Sequence, residues 1–276
     1  MKSIEKAYQQ CEKVISHHSK TFYKAFSLLP KKQRNAVWAV YAFCRRVDDI
    51  VDEGNAPLQE LQAFEEEFSL FKQGKLLHDD MWVALEDVFE RFDMDVQPFD
   101  EMIVGQKMDL IKTSYETVEE VKHYSYHVAS TVGLMLLPIL APKNHRLLRE
   151  DGIALGIAMQ ITNILRDIGE DLERSRIYIP SEVMSRFGYT EEMLRNHEVN
   201  TAFISVWEFL AAEAEILYEQ GLSSLHLYPM SSRIPLKGAT FLYRAILKAV
   251  REQQYQVFGQ KNFVTKEEKQ KILALL

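Results

Sequence analysis

Apolar residues recur every three or four positions along most of the chain, rather than at every second position. This is the spacing of the buried face of a helix, whereas strands alternate with a period of two. The helices predicted from it cover 31–53, three amphipathic stretches between 58 and 112, then 119–140, about 200–222, 236–257, and a short stretch ending at Leu276. The pattern predicts an all-α protein that forms a single domain over residues 1–276.

The stretch 152–180 combines this apolar pattern with a stripe of oxygen-bearing side chains. At 3.6 residues per turn, the polar stripe covers about one quadrant of the helix, and isoleucine and leucine fill much of the rest. Buried carboxylates need a compensating cation, and oxygen ligands favour Mg²⁺. The residues of this predicted magnesium-binding stripe are Gln160, Asn163, Asp167 and Asp171.

A second acidic pair lies in the helix predicted over 31–53. Asp48 and Asp52 are four residues apart, Arg45 and Tyr41 precede them on roughly the same stripe, and Asp49 projects about 100° away. A solvated acidic helix end would explain one such pair by itself. Two pairs on apolar helices instead predict facing carboxylate walls that hold several Mg²⁺ ions, with a diphosphate completing the coordination.

Residues 17–26, HHSKTFYKAF, mix basic, hydroxyl and aromatic side chains. His18, Lys20 and Thr21 are candidates for contacts to phosphate oxygens, although a partly buried histidine with an ordinary hydrogen bond would also explain His18. Phe22 and Phe26 are four residues apart and are predicted to stack on one helix face. Ordinary core packing remains the alternative for these two rings.

The helix predicted over 119–140 carries Tyr126 one turn before the small residues Ala129, Ser130 and Gly133. These small residues allow close approach by a neighbouring helix or by a ligand chain. The Tyr126 hydroxyl, next to an apolar surface, is a candidate for orienting a reacting group. The alternative is a core tyrosine with one hydrogen bond.

Composition narrows the choice of partners. The 276 residues carry a net charge of −7, which argues against nucleic acid as the main partner. Cys11 and Cys44 have neither metal-site spacing nor a disulfide framework, and the N-terminal helix lacks the apolar core of a signal peptide. The apolar runs are shorter than the ~20 residues of a membrane span. These features predict a cytoplasmic protein, with peripheral membrane contact as an open option.

Several segments together strongly resemble the squalene/phytoene synthase family, especially its short bacterial dehydrosqualene synthase branch. They are HSKTFYKAFSLLP, AVWAVYAFCRRVDDIVDE, YSYHVASTVG and ALGIAMQITNILRDIGEDLERSRIYIP. The resemblance runs from about residue 8 to residue 270. It implies the isoprenoid synthase fold, with two aspartate-rich helices holding three Mg²⁺ ions across a central cavity. It also implies head-to-head condensation of two prenyl diphosphates through a cyclopropyl diphosphate.

The resemblance assigns roles to individual positions. The implied metal ligands are Asp48, Asp52, Asp167 and Asp171, supported by Asn163 and Gln160. The positions implied to contact or border diphosphate are His18, Lys20, Thr21, Tyr41, Arg45, Arg166, Tyr243 and Lys269. Arg45 and Lys20 are expected to help neutralise the departing diphosphate, Phe22 and Phe26 to face the allylic cation, and Tyr126 to lie near the reacting carbons.

The chain departs from the family pattern at two places. Ser130 stands where the family usually has glycine, and we expect it either to narrow the prenyl channel and hold a water molecule, or simply to pack against a neighbouring helix. The segment FGQKNFV has Gln260 and Lys261 where the family commonly has an arginine. Lysine keeps the charge but lacks the bidentate fork that binds phosphate.

Three functions therefore remain open. The first is a Mg²⁺-dependent prenyltransferase that joins two molecules of farnesyl diphosphate. The second is a phosphatase that uses the same site to release farnesol. The third is a non-catalytic helical protein with a structural cation site, which leaves Arg45, Lys20 and Tyr126 unexplained. The prenyl chain length and the use of NADPH stay undetermined, and no obligate protein partner is predicted.

Overall fold

The computed structural model describes residues 4–75 and 77–274 as a helical domain. Apart from one isolated β-bridge between Ser114 and Ile177, its regular elements are helices. They are α1 (Ile4–His18), α2 (Lys20–Phe26), α3 (Lys31–Glu53), α4 (Pro57–Lys72), α5 (Asp80–Arg91), α6 (Gln97–Ile111), α7 (Val118–Ser125), a π-turn (Tyr126–Ser130), α8 (Thr131–Leu140), α9 (Arg149–Glu173), α10 (Ser181–Arg186), α11 (Glu191–Arg195), α12 (Thr201–Ser223), a 3₁₀ turn (Leu225–Leu227), α13 (Met230–Glu252) and α14 (Lys266–Ala274).

The all-α prediction is confirmed, and most predicted helices have the expected bounds. The last long helix differs, since α13 spans Met230–Glu252 rather than 236–257. It continues through Pro235 near its first turns and ends before Gln254 and Tyr255, which adopt positive φ. The predicted end of the final helix at Leu276 lies outside the described residues. No helix among the described residues is long and apolar enough to span a bilayer.

Helix α9 lies at the centre of the domain and packs against α12, α13, α8 and the π-turn. Trp207 of α12 is fully buried and donates its indole hydrogen to the Leu165 carbonyl at 3.1 Å. Thr162 and Tyr218 share a buried hydrogen bond of 2.9 Å between their hydroxyls. The Trp207 indole and the Tyr218 hydroxyl of α12 are therefore both hydrogen-bonded to α9. These two bonds fix the rotation of α9 about its axis.

An aromatic cluster holds α3 against α4, α5 and α6. The rings of Phe43 and Phe99 have centroids 4.9 Å apart, and those of Phe64 and Trp82 are 5.3 Å apart. Offset and edge-to-face aromatic pairs of this kind each add about 0.5–1.5 kcal/mol beyond the burial of their surface. This cluster lies on one side of α3, so the opposite stripe of the helix is free to face a cavity.

The π-turn lies directly on α9. A Cβ atom added to Gly156 would lie 2.3 Å from the Cα of Ser130 and 2.6 Å from its backbone nitrogen. Backbone atoms cannot move aside as the end of a flexible side chain can. Glycine at position 156 is therefore required for this close approach.

We expect Gly156→Ala to lower the free energy of unfolding by about 1–3 kcal/mol, the usual cost of overpacking a core. Gly152→Ala on the same helix is the matched control, because its Cβ would meet only the Leu137 side chain, at 3.2 Å. Urea unfolding of both variants and the parent measures the difference. Equal loss in the two variants would contradict the backbone clash at Gly156.

Candidate active site

A cavity of about 900 Å³ lies between α3, α6, α9 and α13. Nearly all of the side chains that the sequence singled out line this one space. They are His18, Lys20, Thr21, Phe22, Phe26, Tyr41, Arg45, Asp48, Asp52, Gln160, Asn163, Arg166, Asp167, Asp171, Tyr243 and Lys269. Tyr126 and Ser130 are exceptions, since neither of them lines the cavity.

The cavity has a polar end and an apolar end. On α9, the lining runs from Gly152 to Asp171, which at 1.5 Å per residue is roughly 28 Å. Its N-terminal half contributes only apolar or small residues and its C-terminal half contributes the polar stripe. Helix α3 is arranged in the same way, with Val37 and Val40 before Asp48 and Asp52. The polar halves of the two helices thus lie at the same end.

The first acidic pair is held by hydrogen bonds and ion pairs from other elements. Gln106 of α6 donates its side-chain amide to Asp48 at 2.6 Å. Asp52 accepts from two arginines just after α9, with Arg174 on one oxygen at 3.1 Å and Arg176 on the other at 3.0 Å. The carboxylates of α3 are therefore tied to α6 and to the C-terminal end of α9.

The second acidic pair has cations of its own. Arg166 donates from Nε to Asp167 Oδ1 at 2.7 Å and from Nη2 to the other oxygen of the same carboxylate. Lys261 lies 3.5 Å from Asp167 and 2.8 Å from Glu170. The departure at Gln260 and Lys261 thus still places a cation at this carboxylate, as a single ammonium rather than a fork.

Asp109 lies between the two pairs, and reasoning from the sequence did not find it. Its carboxylate accepts from the Tyr124 hydroxyl at 2.8 Å and from the Tyr178 hydroxyl at 2.7 Å, and all three residues line the cavity. Burial raises the pKa of Asp109, and the two tyrosine hydrogen bonds oppose that rise. The available signal was weak: Gln106 and Asp109 are three residues apart and so share one face of α6.

Burial raises the pKa of one carboxylate in each acidic pair. The pKa of Asp48 is raised to about 7 by burial, with Asp52, Asp49 and Asp109 adding negative charge against the opposing effect of Arg45. The pKa of Asp171 is raised to about 8, again by burial first and then by Asp167 and Asp109. For both groups burial is the largest cause of the raised pKa, and neighbouring carboxylates raise it further.

The donor set fits a hard divalent cation. The four aspartates and Asn163 offer only oxygen ligands, and the buried Asn163 Oδ1 accepts no hydrogen bond from the described residues. Within 4–75 and 77–274, no three His, Cys, Asp or Glu side chains converge closely enough to bind an ion alone. An ion at either pair would therefore need further oxygens from water or a ligand, as Mg²⁺ commonly does.

Basic and aromatic side chains of α1, α2 and α3 line the cavity near the acidic pairs. Burial, and then Arg45, lower the pKa of His18. Arg45 itself pairs with Asp49 and, at 3.3 Å, with Glu53, on the side of α3 that faces a neighbouring groove. The predicted stacking of Phe22 and Phe26 is confirmed, with centroids 5.9 Å apart and planes 11° from parallel.

Comparison with known proteins identifies the family of this chain. The sequence profile of the squalene/phytoene synthase family matches residues 15–268. The chain belongs to the squalene/phytoene synthase family. It is 38% identical over 276 residues to 15-cis-phytoene synthase of Synechocystis sp., covering 95% of this chain and 82% of the relative. It is 36% identical over 274 residues to farnesyl diphosphate phosphatase YisP of Bacillus subtilis, covering 99% of each.

Solved structures of family members share the fold. A dehydrosqualene synthase in complex with a ligand superposes with a TM-score of 0.94 at 41% identity, covering 99% of this chain and 95% of that one. Bacillus subtilis YisP superposes with a TM-score of 0.82 at 34% identity, covering 98% and 96%. The family relationship and the isoprenoid synthase fold implied by the sequence are thus confirmed.

The structure corrects the placement of Tyr126 in this squalene/phytoene synthase family member. Its hydroxyl donates to Glu101 at 2.6 Å, and it does not line the cavity, whereas Tyr124 does. The cause is the π-turn, in which the Thr131 N–H bonds to the Tyr126 carbonyl five residues back. This wider turn rotates the helix relative to the α-helical spacing used in the prediction.

Ser130 is also outside the cavity lining. It is fully buried and donates its hydroxyl to the Ile153 carbonyl of α9 at 2.7 Å. The expectation that it narrows a prenyl channel is therefore wrong, and the alternative of packing against a neighbouring helix is correct. Val128, Ala129, Val132 and Gly133 line the cavity on either side of it.

Replacement of the two tyrosines by phenylalanine tests this correction. We expect Tyr124→Phe to lower kcat by at least tenfold, because it removes a hydroxyl bonded to Asp109 inside the cavity. Tyr126→Phe, the matched control, should keep kcat within about twofold, since the group it loses bonds outside the cavity. Steady-state kinetics on both variants measure the two kcat values. A larger loss of kcat in Tyr126→Phe than in Tyr124→Phe would support Tyr126 as the residue near the reacting carbons.

The raised pKa values of Asp48 and Asp171 predict the pH dependence of metal-free stability. Their folded pKa values, about 7 and about 8, exceed the value of roughly 4 expected in the unfolded chain. The folded state then binds more protons, so this contribution to stability is full below about pH 4 and is lost as pH rises to 8. Thermal midpoints in chelator should fall over that range, and less steeply in Asp48→Asn. An equally steep fall of the thermal midpoint with pH in Asp48→Asn would contradict the raised pKa of Asp48.

Proposed function

We propose that this protein catalyses the Mg²⁺-dependent head-to-head condensation of two prenyl diphosphates, with farnesyl diphosphate as substrate, through a cyclopropyl diphosphate intermediate. The observation that carries the proposal is the cavity with two acidic pairs at one end and apolar walls at the other. Its volume of about 900 Å³ is near the top of the usual range for ligand pockets, roughly 300–1,000 Å³. This size suits two long apolar chains better than one.

The polar end binds the diphosphates. Asp48, Asp52, Asp167 and Asp171, with Asn163, would hold Mg²⁺, which supplies positive charge for the negative charge that develops on the leaving group. Basic side chains from five helices and two connecting segments line the same end and would bind diphosphate oxygens directly. They are His18, Lys20, Arg45, Arg166, Arg176, Lys261 and Lys269.

The apolar end holds the prenyl chains and keeps water away from the allylic cation. Leu136, Leu155, Leu236 and Ile246 belong to three different helices around this end. Near the polar end, the rings of Phe22 and Tyr243 stack with centroids 5.2 Å apart, at the cavity surface. Aromatic faces attract a cation without attacking it. A carbocation next to these rings can therefore survive until the second double bond reacts with it.

Tyr124 takes the role that the sequence assigned to Tyr126. Asp109 accepts a hydrogen bond from the Tyr124 hydroxyl, which fixes the phenol oxygen at the cavity wall. The Tyr178 hydroxyl lies 3.3 Å from it and bonds to the same carboxylate. The two phenols are thus held at a fixed position between the acidic pairs, where the leaving group and the reacting carbons meet.

Hydrolysis of farnesyl diphosphate to farnesol is the second candidate. It is favoured by the 36% identity to the farnesyl diphosphate phosphatase YisP across 99% of both chains. The same polar end would ionise the substrate, and water would then capture the cation in place of a second prenyl chain. Ser130 no longer supports this candidate, because it lies outside the cavity.

Product analysis separates the two candidates. Purified protein is incubated with Mg²⁺ and farnesyl diphosphate, with and without NADPH, and in parallel with geranylgeranyl diphosphate. We expect a C30 hydrocarbon or its cyclopropyl diphosphate precursor, and no product in chelator. Farnesol as the sole product would establish the phosphatase instead, and a product only from geranylgeranyl diphosphate would correct the chain length.

Asp48→Ala and Asp167→Ala should each lower turnover by at least 10³-fold while the helical circular dichroism spectrum stays unchanged, because both remove oxygens from the proposed metal sites. Glu173→Ala is the matched control, since this exposed acidic residue of α9 does not line the cavity. Turnover near the parental rate in either aspartate variant would refute the metal-site assignment.

A further inference from the structure

Both oxygens of the Asp52 carboxylate are occupied by cations that belong to the protein. Arg174 donates to Oδ2 at 3.1 Å and Arg176 donates to Oδ1 at 3.0 Å. Two guanidinium charges therefore lie where the proposed function requires Asp52 to bind a divalent cation. An ion that binds Asp52 has to displace at least one of them or share the carboxylate with it.

The backbone holds these arginines in position. Helix α9 ends in a Schellman motif, in which Arg176 N–H bonds to the Asp171 carbonyl at 2.8 Å and Ser175 N–H bonds to the Leu172 carbonyl at 2.9 Å. Ser175 occupies the left-handed position with φ of 59°, where glycine is usual. The next residue, Ile177, donates to the Thr113 carbonyl at 2.8 Å. The turn is thus fixed on both sides.

The two arginines differ in their surroundings. The Arg176 side chain is 14% exposed and interacts electrostatically with Asp109 and Tyr178 as well as Asp52. The Arg174 side chain is 53% exposed. Both line the cavity. Arg176 is therefore an internal counter-charge at the polar end, and Arg174 covers the same carboxylate from the solvent side.

We propose that Arg174 and Arg176 form a charge latch on Asp52, competing with Mg²⁺ for this carboxylate in the free protein and transferring to the diphosphate when metal and diphosphate bind together. The proposal rests on the proposed function. An incoming diphosphate offers these arginines a stronger anionic partner than one carboxylate, because guanidinium pairs bidentately with phosphate oxygens. Release of Asp52 then strengthens metal binding, so each ligand raises the affinity for the other.

The consequence is that Mg²⁺ alone binds weakly and Mg²⁺ with diphosphate binds strongly. Such coupling factors are commonly about 5- to 150-fold. The acidic pairs would be filled chiefly when a prenyl diphosphate arrives, rather than by free metal beforehand.

Calorimetric titration of the full-length protein tests the latch, with Mg²⁺ alone and with Mg²⁺ in the presence of inorganic diphosphate. Arg176→Gln should bind Mg²⁺ alone more tightly than the parent, on the order of tenfold for loss of one partly buried competing ion pair. Arg174→Gln should change in the same direction by a smaller factor. Both variants should lose most of the enhancement by diphosphate.

Arg195→Gln is the matched control, because Arg195 pairs with Glu191 on α11 and does not line the cavity. It should bind metal as the parent does. Unchanged or weaker binding of Mg²⁺ alone by Arg174→Gln and Arg176→Gln would overturn the latch. If Arg176→Gln does not fold, the exposed Arg174→Gln decides alone.

The outcome is separable from that of the proposed function. Absence of both hydrocarbon and prenyl alcohol in the product assay would refute the function while coupled binding of Mg²⁺ and inorganic diphosphate, lost in the variants, would still support the latch. Failure of the parent to couple the two ligands would refute the latch, whatever product the enzyme makes.

Discussion

The arrangement of this fold depends on keeping five carboxylates at one end of an internal cavity. Asp48 and Asp52 of α3, Asp167 and Asp171 of α9, and Asp109 of α6 line that end together. Their mutual repulsion and loss of water oppose folding, and the raised pKa values of Asp48 and Asp171 are one expression of this. Arginine, glutamine and tyrosine side chains partly compensate, and they come from elements that the chain must bring together for this purpose.

The rest of the architecture can be understood as support for this site. The aromatic cluster behind α3 and the Trp207 and Tyr218 contacts behind α9 fix the rotation of both helices from their outer sides. Neither helix can then turn its acidic stripe away from the cavity. Stability of the apolar packing is thus used to hold an electrostatically unfavourable cluster in place.

The sequence revealed much of the site because the acidic and apolar residues of α3 and α9 follow uninterrupted helical spacing. Asp48, Asp52, Asp167 and Asp171 are where the 3.6-residue period puts them. It did not reveal Asp109 or Arg176, since their roles arise from contacts between segments distant in the chain. For Tyr126 and Ser130 the sequence left open whether the side chain faces the cavity or packs in the core, because the period itself changes at the π-turn and nothing in the local composition marks that change.

The π-turn also allows the continuous helical segment formed by α7, the π-turn and α8 to line two chemically different regions. Tyr124, Val128, Val132, Leu136 and Leu140 recur at intervals of four, and all line the cavity. In an uninterrupted α-helix, each residue in such a series is rotated by about 40° about the helix axis relative to the previous one. This rotation would take Leu140 out of the lining. The π-turn has more residues per turn than an α-helix, so it cancels part of that rotation. Deleting one residue from the π-turn would therefore rotate α8 relative to the far end of the cavity, and would shorten the helix only slightly.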